Sequence, residues 1–368
     1  MFRVGVSGEL PADGPCTLID FTPSFPLLLP HARRRMNFAY WYATLQPENS
    51  YLGRDHHPSV PGVVEESLAT LRDGTTRWQM AALSAEPTIL ILVLFKDEKS
   101  WSSDFRSSSR TIYDFLDLLQ ATDLDISTIS LGIWTASAEQ FELIQTAVGR
   151  LPFSRVTAYH RQDAEESAAY GDRHNPQVQL TRRSGLAKLR NRLMLAALQD
   201  EDHVLWIDAD VDELSPNLVQ TMLQHSTTNH DAGIITAMCH QNQMNNYDKN
   251  AWKVSSPNLL GSVADNDRET SLAKLVETRI MVPELIKGTD NDALVPLDSV
   301  GGTVLLIRAD LIRQGLTFPY HNVVGTTWGQ PGWIGVETEG ICYAARGLDG
   351  GGCYVLGGSH HARHTDWG

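Results

Sequence analysis

The stretch His203-Val-Leu-Trp-Ile-Asp208-Ala-Asp210-Val-Asp-Glu213 passes from apolar to acidic within a single residue. Val204 to Ile207 are apolar without alternation, the pattern of a central strand covered on both faces. Asp208 and Asp210 then emerge at its carboxyl end, the edge of an open α/β sheet at which ligands bind. Two carboxylates so close repel each other and lose hydration unless a cation offsets them, and a hard divalent ion with oxygen ligands suits them best. A plainer reading makes them solvated loop acids ahead of a helix over 215–223. A haloacid-dehalogenase phosphatase also starts from a strand ending in Asp-x-Asp. That pattern wants Thr or Val two residues past the second Asp and near the domain start, whereas here the position is Asp212, about 200 residues in.

Outward from this strand the chain alternates strand and helix, which implies parallel βαβ units. Strands are expected over 88–95, 128–134 and 155–159, with helices over 109–121 and 138–148. The first of these helices carries Ile112, Phe115, Leu116 and Leu119 on one face. Residues 162–179 are polar and acidic and read as a surface loop. A helix over 184–199 leads into the Asp-bearing strand, giving a doubly wound sheet. Short strands follow at 232–237, 302–307 and 353–356, with helices over 309–314 and 338–346, each stopped by a glycine, Gly315 and Gly347. Residues 1–85 differ, because eight prolines between Pro11 and Pro61 break any long element. This region reads as an irregular extension in which the aromatic run Met36-Asn-Phe-Ala-Tyr-Trp-Tyr42 docks on the main domain or on a partner.

The 368 residues carry 42% hydrophobic and 20% charged side chains, globular values that permit one large domain or two ordinary ones. A formal net charge of −14 argues against nucleic acid or anionic membrane surfaces as general partners. Cys16, Cys239, Cys342 and Cys353 show no CxxC or zinc-ligand spacing and read as ordinary buried thiols, with a disulfide left open. Residues 88–95 are too few to span a bilayer, and residues 1–10 have neither the basic nor the apolar region of a signal peptide. There is no Asn-x-Ser/Thr sequon.

Several other patches can carry chemistry. In Thr181-Arg-Arg183-Ser-Gly-Leu-Ala-Lys-Leu-Arg190-Asn-Arg-Leu193, helical spacing places Arg190 on the inward face with Leu186, Leu189 and Leu193, and Arg183 one heptad earlier. A guanidinium there requires an anion, either Asp208 or Asp210 as a structural partner or a diphosphate held bidentately. Residues 241–252, with Tyr247, Asp248, Asn250 and Trp252, combine amides, an acid and aromatics as a sugar-binding loop does, or form a polar turn. Around Asp298, the pair Gly301-Gly302 suggests close backbone approach to a ligand or to another segment. Glu337 and Glu339 stand at a helix start, where capping explains one acid and a catalytic or hydroxyl-binding role the other. His361 and His364 could complete a metal site begun by the aspartates.

In this order the patches resemble glycosyltransferase family 62, the fungal Golgi mannosyltransferases of the mannan polymerase complexes. The resemblance rests on Arg190-Asn191, on Val204-Leu-Trp-Ile-Asp-Ala-Asp210 and on Tyr247-Asp-Lys-Asn-Ala-Trp252. It continues through Val295-Pro-Leu-Asp-Ser-Val-Gly-Gly-Thr303, Phe318-Pro319 and Glu337-Thr-Glu-Gly340. It implies an α/β GT-A type, Rossmann-like nucleotide-sugar-binding fold, with a mostly parallel central sheet flanked by helices over 86–368. It further implies retaining transfer of mannose from GDP-mannose with Mn²⁺, or Mg²⁺, to a glycan or small hydroxyl acceptor. By the same resemblance Asp208 faces the nucleotide, Asp210 and a C-terminal histidine, His364 or less well His361, ligate the metal, and Arg190 contacts phosphate. Phe95-Lys96-Asp97 lies near the nucleoside. Glu337 or Glu339 offsets oxocarbenium charge, and homologous transferase subunits are expected partners. Family members are usually anchored by an N-terminal membrane helix, which this chain does not show, so the cytoplasm stays open beside the Golgi. The alternatives are a transferase with another nucleotide-sugar donor, a nucleotidylyltransferase, or a non-catalytic subunit of the same fold.

Overall fold

Along Ile89–Phe95 every second side chain changes side: Ile89, Ile91, Val93 and Phe95 enter one apolar cluster, while Leu90 and Leu92 enter another. A strand buried on both faces is what uninterrupted aliphatic sequence specifies. Residues 64–82, 86–102, 109–149, 151–162, 176–242, 244–327 and 329–365 are described in a computed structural model, all within the unit that begins at His57.

The first half runs β1 (Val64–Thr70), β2 (Thr76–Ala82), β3 (Ile89–Phe95), α1 (Ile112–Gln120), β4 (Ile129–Thr135), α2 (Ala138–Val148), β5 (Arg155–His160), α3 (Pro176–Ala197) and β6 (His203–Ile207). Helix starts are set by local side chains. Thr111 caps α1 in a reciprocal box with Asp114, and Ser137 caps α2, in each case satisfying amides that the first turn leaves unpaired. The apolar faces of α1 and α2 join the cluster of Ile91 and Val93. Ala187, Leu193, Met194 and Ala197 of α3 join that of Leu90 and Leu92. The crossovers therefore leave β3 on opposite faces, and the gap between β3 and β6 is the switch point of the sheet. Gly132 in β4 lets α3 close on the sheet, since a Cβ there would lie 2.5 Å from Leu92 Cδ2 and 3.1 Å from Ala197 Cβ.

The second half comprises β7 (Val211–Leu214), α4 (Leu218–Thr228), β8 (Ile234–Thr236), β9 (Met238–His240), β10 (Trp252–Lys253), α5 (Arg268–Thr278), β11 (Ile280–Met281), α6 (Val282–Leu285) and β12 (Leu294–Pro296). It ends with β13 (Val304–Arg308), α7 (Ala309–Arg313), α8 (Thr338–Ala345), β14 (Cys353–Leu356) and β15 (His361–His364). The main sheet has the order β1-β2-β5-β4-β3-β6-β13-β8-β14-β12. Strands β5, β4, β3 and β6 are mutually parallel, as βαβ units require. β13 reverses direction between β6 and β8, and β14 runs parallel to β8. The architecture is α/β, as expected, with a parallel centre extended on both sides by antiparallel strands.

Three features were not readable in advance. Residues 64–82, assigned to the irregular extension, form the hairpin β1–β2, which extends the sheet by pairing β2 with β5. Residues 1–63, with the aromatic run 36–42, and residues 163–175 of the polar loop lie outside the described residues. The acidic segment after Pro257 contains α5, which buries only Leu275 and so shows no apolar stripe. The expectation of ordinary thiols is corrected at two positions: Cys342 of α8 and Cys353 of β14 form a disulfide, whereas Cys239 is free and buried. The bond closes a loop across 11 positions. Its removal in a Cys342→Ser/Cys353→Ser variant is expected to lower unfolding stability by about 3 kcal/mol, read as a lower urea midpoint. Among the described residues no helix is long and apolar enough to cross a membrane.

Candidate active site

Asp208 leaves β6 at the switch point, and the turn that follows is held from beneath. Buried Arg110 donates to Ala209 O at 3.1 Å, to Val211 O at 2.7 Å and to Trp101 O at 3.2 Å. The carbonyls on either side of Asp210 are thus fixed by one guanidinium. Nothing in the sequence around Arg110 signals this role, because its partners lie about a hundred residues away. Arg110→Leu is expected to destabilise the fold by about 1–3 kcal/mol, because buried carbonyls lose their donor, read as a lower urea midpoint.

The C-terminus completes this side. β15 pairs antiparallel with β7 and parallel with β9, a register that sets His364 beside Asp210, with Nε2 2.8 Å from Oδ2. Burial disfavours the charged imidazole, but the hydrogen bond and charge of Asp210 outweigh it and push His364 up to about 9. The ring of Tyr247 packs on His364 at 4.4 Å. His361 does not reach the aspartates: it meets Glu213 at 3.7 Å and the His240 ring at 4.6 Å. Odd spacing along a strand puts 361 and 364 on opposite faces, so the metal role expected of His361 is corrected.

On the other side Arg190 is 4% exposed at its side chain and holds two carboxylates. Its Nη2 donates to Asp208 Oδ1 at 2.9 Å. Its Nε stands 2.8 Å from Glu337 Oε1, an ion pair off the N–H direction. Neither Nε nor Nη1 therefore has a hydrogen-bond acceptor among the described residues. The guanidinium lies over the rings of Trp206 at 4.8 Å and Phe318 at 5.6 Å. Gly302 makes room for it, as a Cβ there would come within 3.0 Å of Nη2. Burial pushes the Asp208 carboxyl up to about 7; Arg190 opposes this, while Asp210, Glu337 and Asp248 add to it. Glu337 itself is held at φ 64° and ψ −133°, a conformation that costs a non-glycine residue roughly 1–3 kcal/mol. Its Oε2 accepts from Thr338 Oγ1 at 3.0 Å.

The expected substrate-binding residues divide. Asp248 is structural: its Oδ2 accepts from Gly302 N at 2.8 Å and from Thr303 Oγ1 at 3.1 Å. The close approach that Gly301 and Gly302 permit is to this carboxylate, since a Cβ on Gly301 would lie 2.3 Å from it. Asp298 accepts from Val254 N at 2.9 Å and pairs with Arg346 at 2.8 Å. Trp252 is fully buried in a satellite core with Val254, Leu260, Leu275 and Val324, so it cannot stack on a sugar, and that expectation is corrected. Asn250 accepts from Arg183 Nη2 at 2.7 Å, and Arg183 Nη1 is 3.1 Å from Glu339 Oε2. At the end of β3, Phe95 packs on Trp101 at 4.3 Å inside the core, and Asp97 caps the turn Glu98–Trp101. Of the three, Lys96 is exposed at the carboxyl edge.

A hard cation fits this donor set in part from the protein and in part from outside it. Among the described residues no three His, Cys, Asp or Glu side chains converge as a complete metal site; Asp210 and His364 offer two. Mg²⁺-like ions accept such a pair, drawing their other ligands from water and substrate phosphates, and Mn²⁺ has the same preference for oxygen. The bare Nη1 of Arg190 supplies an independent anion-binding donor.

A family model described as Anp1 matches residues 71–322. The chain is similar to the mannan polymerase complex subunit mnn9 of Schizosaccharomyces pombe, 31% identical over 206 residues, covering 53% of this chain and 56% of that protein. It is also similar to the mannan polymerase complex subunit MNN9 of Candida albicans, 28% identical over 65% of this chain and 68% of that protein. The chain thus spans little more than half the length of the first and about two thirds of the second. Among solved structures, S. aureus TarS residues 1–349 aligns with a TM-score of 0.41 at 10% identity, over 76% of this chain and 60% of that one.

Proposed function

The chain belongs to the Anp1 family, and from that premise we propose that it is a metal-dependent retaining glycosyltransferase moving mannose from GDP-mannose to a hydroxyl of a mannoside or other glycan. The observation that carries this reading is Arg190: a buried guanidinium at the switch point, paired to two carboxylates yet with neither Nε nor Nη1 meeting a hydrogen-bond acceptor among the described residues. A buried unpaired donor is costly, and a phosphate oxygen answers it.

In this reading Asp210 and His364 hold Mn²⁺ or Mg²⁺. When bound, the ion supplies positive charge opposite the leaving diphosphate. Arg190 Nη1 donates to a diphosphate oxygen, and Asp208, anchored by Nη2, lies toward the nucleotide. Glu337 fixes the guanidinium from behind and so acts as a positioning residue. In the transfer the acceptor hydroxyl oxygen bonds to C1 of mannose, the C1–O bond to the β-phosphate breaks, and the hydroxyl proton passes to the departing phosphate oxygen as GDP leaves. Preorganised charge at the leaving group is the largest expected source of rate. The Cys342–Cys353 disulfide favours an oxidising compartment, in keeping with a Golgi site of action.

The test is calorimetric binding of GDP, GDP-mannose and UDP-glucose, each with Mn²⁺ and with EDTA. Metal-dependent binding of the guanosine ligands supports the reading; selective binding of the uridine ligand or of none overturns it. A non-catalytic role within a complex is favoured by one observation, that similar proteins are named as complex subunits. Donor binding without transfer, with transfer appearing only beside a second family chain, would establish that role.

A further inference from the structure

Further out on the same face of α3 a second arginine–glutamate pair repeats the first. Arg183 stands seven residues before Arg190, roughly 10 Å along a helix axis. Its partner Glu339 follows Glu337 by two residues in the chain. The inner pair is sealed, with side chains 4% and 5% exposed. The outer pair is open on the arginine side, at 23% against 7% for Glu339. Asn250 closes the group through its bond to Arg183 Nη2.

Tyr320, 53% exposed and set edge-on to His321 at 5.1 Å, is tied to this end of α3 through its backbone. Its backbone is anchored although its ring is not. Ser184, next to Arg183, donates to Tyr320 O, and Glu337 N donates to Pro319 O at 2.7 Å. Phe318 is held twice by Asn191, at 2.8 and 2.7 Å. Structural need does not explain the arrangement. Helix α3 is already tied to this segment by Asn191 and to Glu337 by Arg190, a half-open ion pair adds little stability, and an exposed tyrosine ring adds no packing.

We propose that Tyr320, Glu339 and Asn250 form the subsite for the terminal hexose of the acceptor. The inference rests on the donor reading of Arg190, Asp208 and Asp210. A pyranose presents one apolar face and a rim of hydroxyls. The tyrosine ring stacks on the face, while the Glu339 carboxylate, which keeps only its outer edge open beside Arg183, accepts from a hydroxyl and the Asn250 side-chain amide donates to another. The two-turn separation from Arg190 leaves space for the transferred sugar between diphosphate and acceptor. Arg183, 3.1 Å from its Oε2, orients Glu339 without needing to touch the sugar.

The experiment titrates an α-linked mannobiose into the full chain saturated with GDP and Mn²⁺, followed by saturation-transfer NMR. Variants are Tyr320→Ala, Tyr320→Phe and Glu339→Gln. Tyr320→Ala and Glu339→Gln are expected to weaken mannobiose binding about tenfold or more, as loss of a stacked ring or a charged hydrogen bond does. Tyr320→Phe retains the ring and stays near wild type. GDP affinity is expected to change less than about twofold in all three, a separation that a general loss of structure would not produce. Unchanged mannobiose affinity in both Tyr320→Ala and Glu339→Gln, or wild type that binds GDP but no mannobiose, overturns the subsite. Wild type that binds no GDP overturns the donor reading, and the subsite with it.

Discussion

Under the proposed function, Asp210→Asn is expected to keep the fold and to reduce metal-dependent sugar transfer by at least about a thousandfold, because that reading makes Asp210 the charged ligand that holds the cation against the leaving diphosphate. The amide keeps the size of the carboxylate and still accepts from His364. Metal-dependent GDP binding is expected to vanish in parallel. Retained transfer at the wild-type rate would remove Asp210 from the mechanism. The same variant carries a pH signature in metal-free protein. His364 is raised from its ordinary value to about 9 by Asp210, so the pair contributes stability that is fully present below pH ~6.5 and lost as pH rises through about 9. The Asp208 carboxyl, raised to about 7 partly by Asp210, acts in the same sense, since removing the neighbouring charge eases its ionisation in the variant. Urea midpoints in EDTA should therefore separate wild type from Asp210→Asn most at pH 6 and converge toward pH 9.5.

Arg190→Met is expected to destabilise the protein by about 3–5 kcal/mol, the effect of breaking a buried ion pair from one side, and to abolish GDP binding. Glu337 would be left 5% exposed without its cation, in a backbone conformation already unfavourable for a side chain. Glu337→Met leaves Arg190 with Asp208 alone and should cost somewhat less. In the double variant two buried charges give way to apolar side chains of similar length, so its loss should fall well short of the sum of the single losses. Chemical denaturation of the four proteins measures the cycle. Additive losses would mean that the 2.8 Å contact carries no coupling and that Glu337 does not position the guanidinium.

The amino-acid sequence by itself determined the central layer of this protein. Aliphatic runs at 89–95 and 204–207 and the amphipathic helices between them are periodic over enough residues to specify βαβ units, and the acids that end the second run fall at the ligand-binding edge by that fact alone. The inward face of Arg190 followed from helical spacing in the same way. Local chemistry also set helix starts, as Thr111 and Ser137 show. Tertiary structure alone decided the rest, because each remaining feature joins residues remote in the chain. β7, β9 and β15 are three or four residues long, too short for alternation to register, yet their pairing is what selects His364 over His361. A buried tryptophan and a sugar platform read alike in sequence, and only packing sends Trp252 and Phe95 into cores while Tyr320 stays open. The glycine pair at 301–302 signalled a close approach, but the approaching group, Asp248 with Arg190 behind it, is set by the fold. Cys342 and Cys353 bond because α8 and β14 meet. Local periodicity records which face of an element is apolar; which polar groups meet at the site depends on how those faces are stacked, and short-range sequence does not encode that.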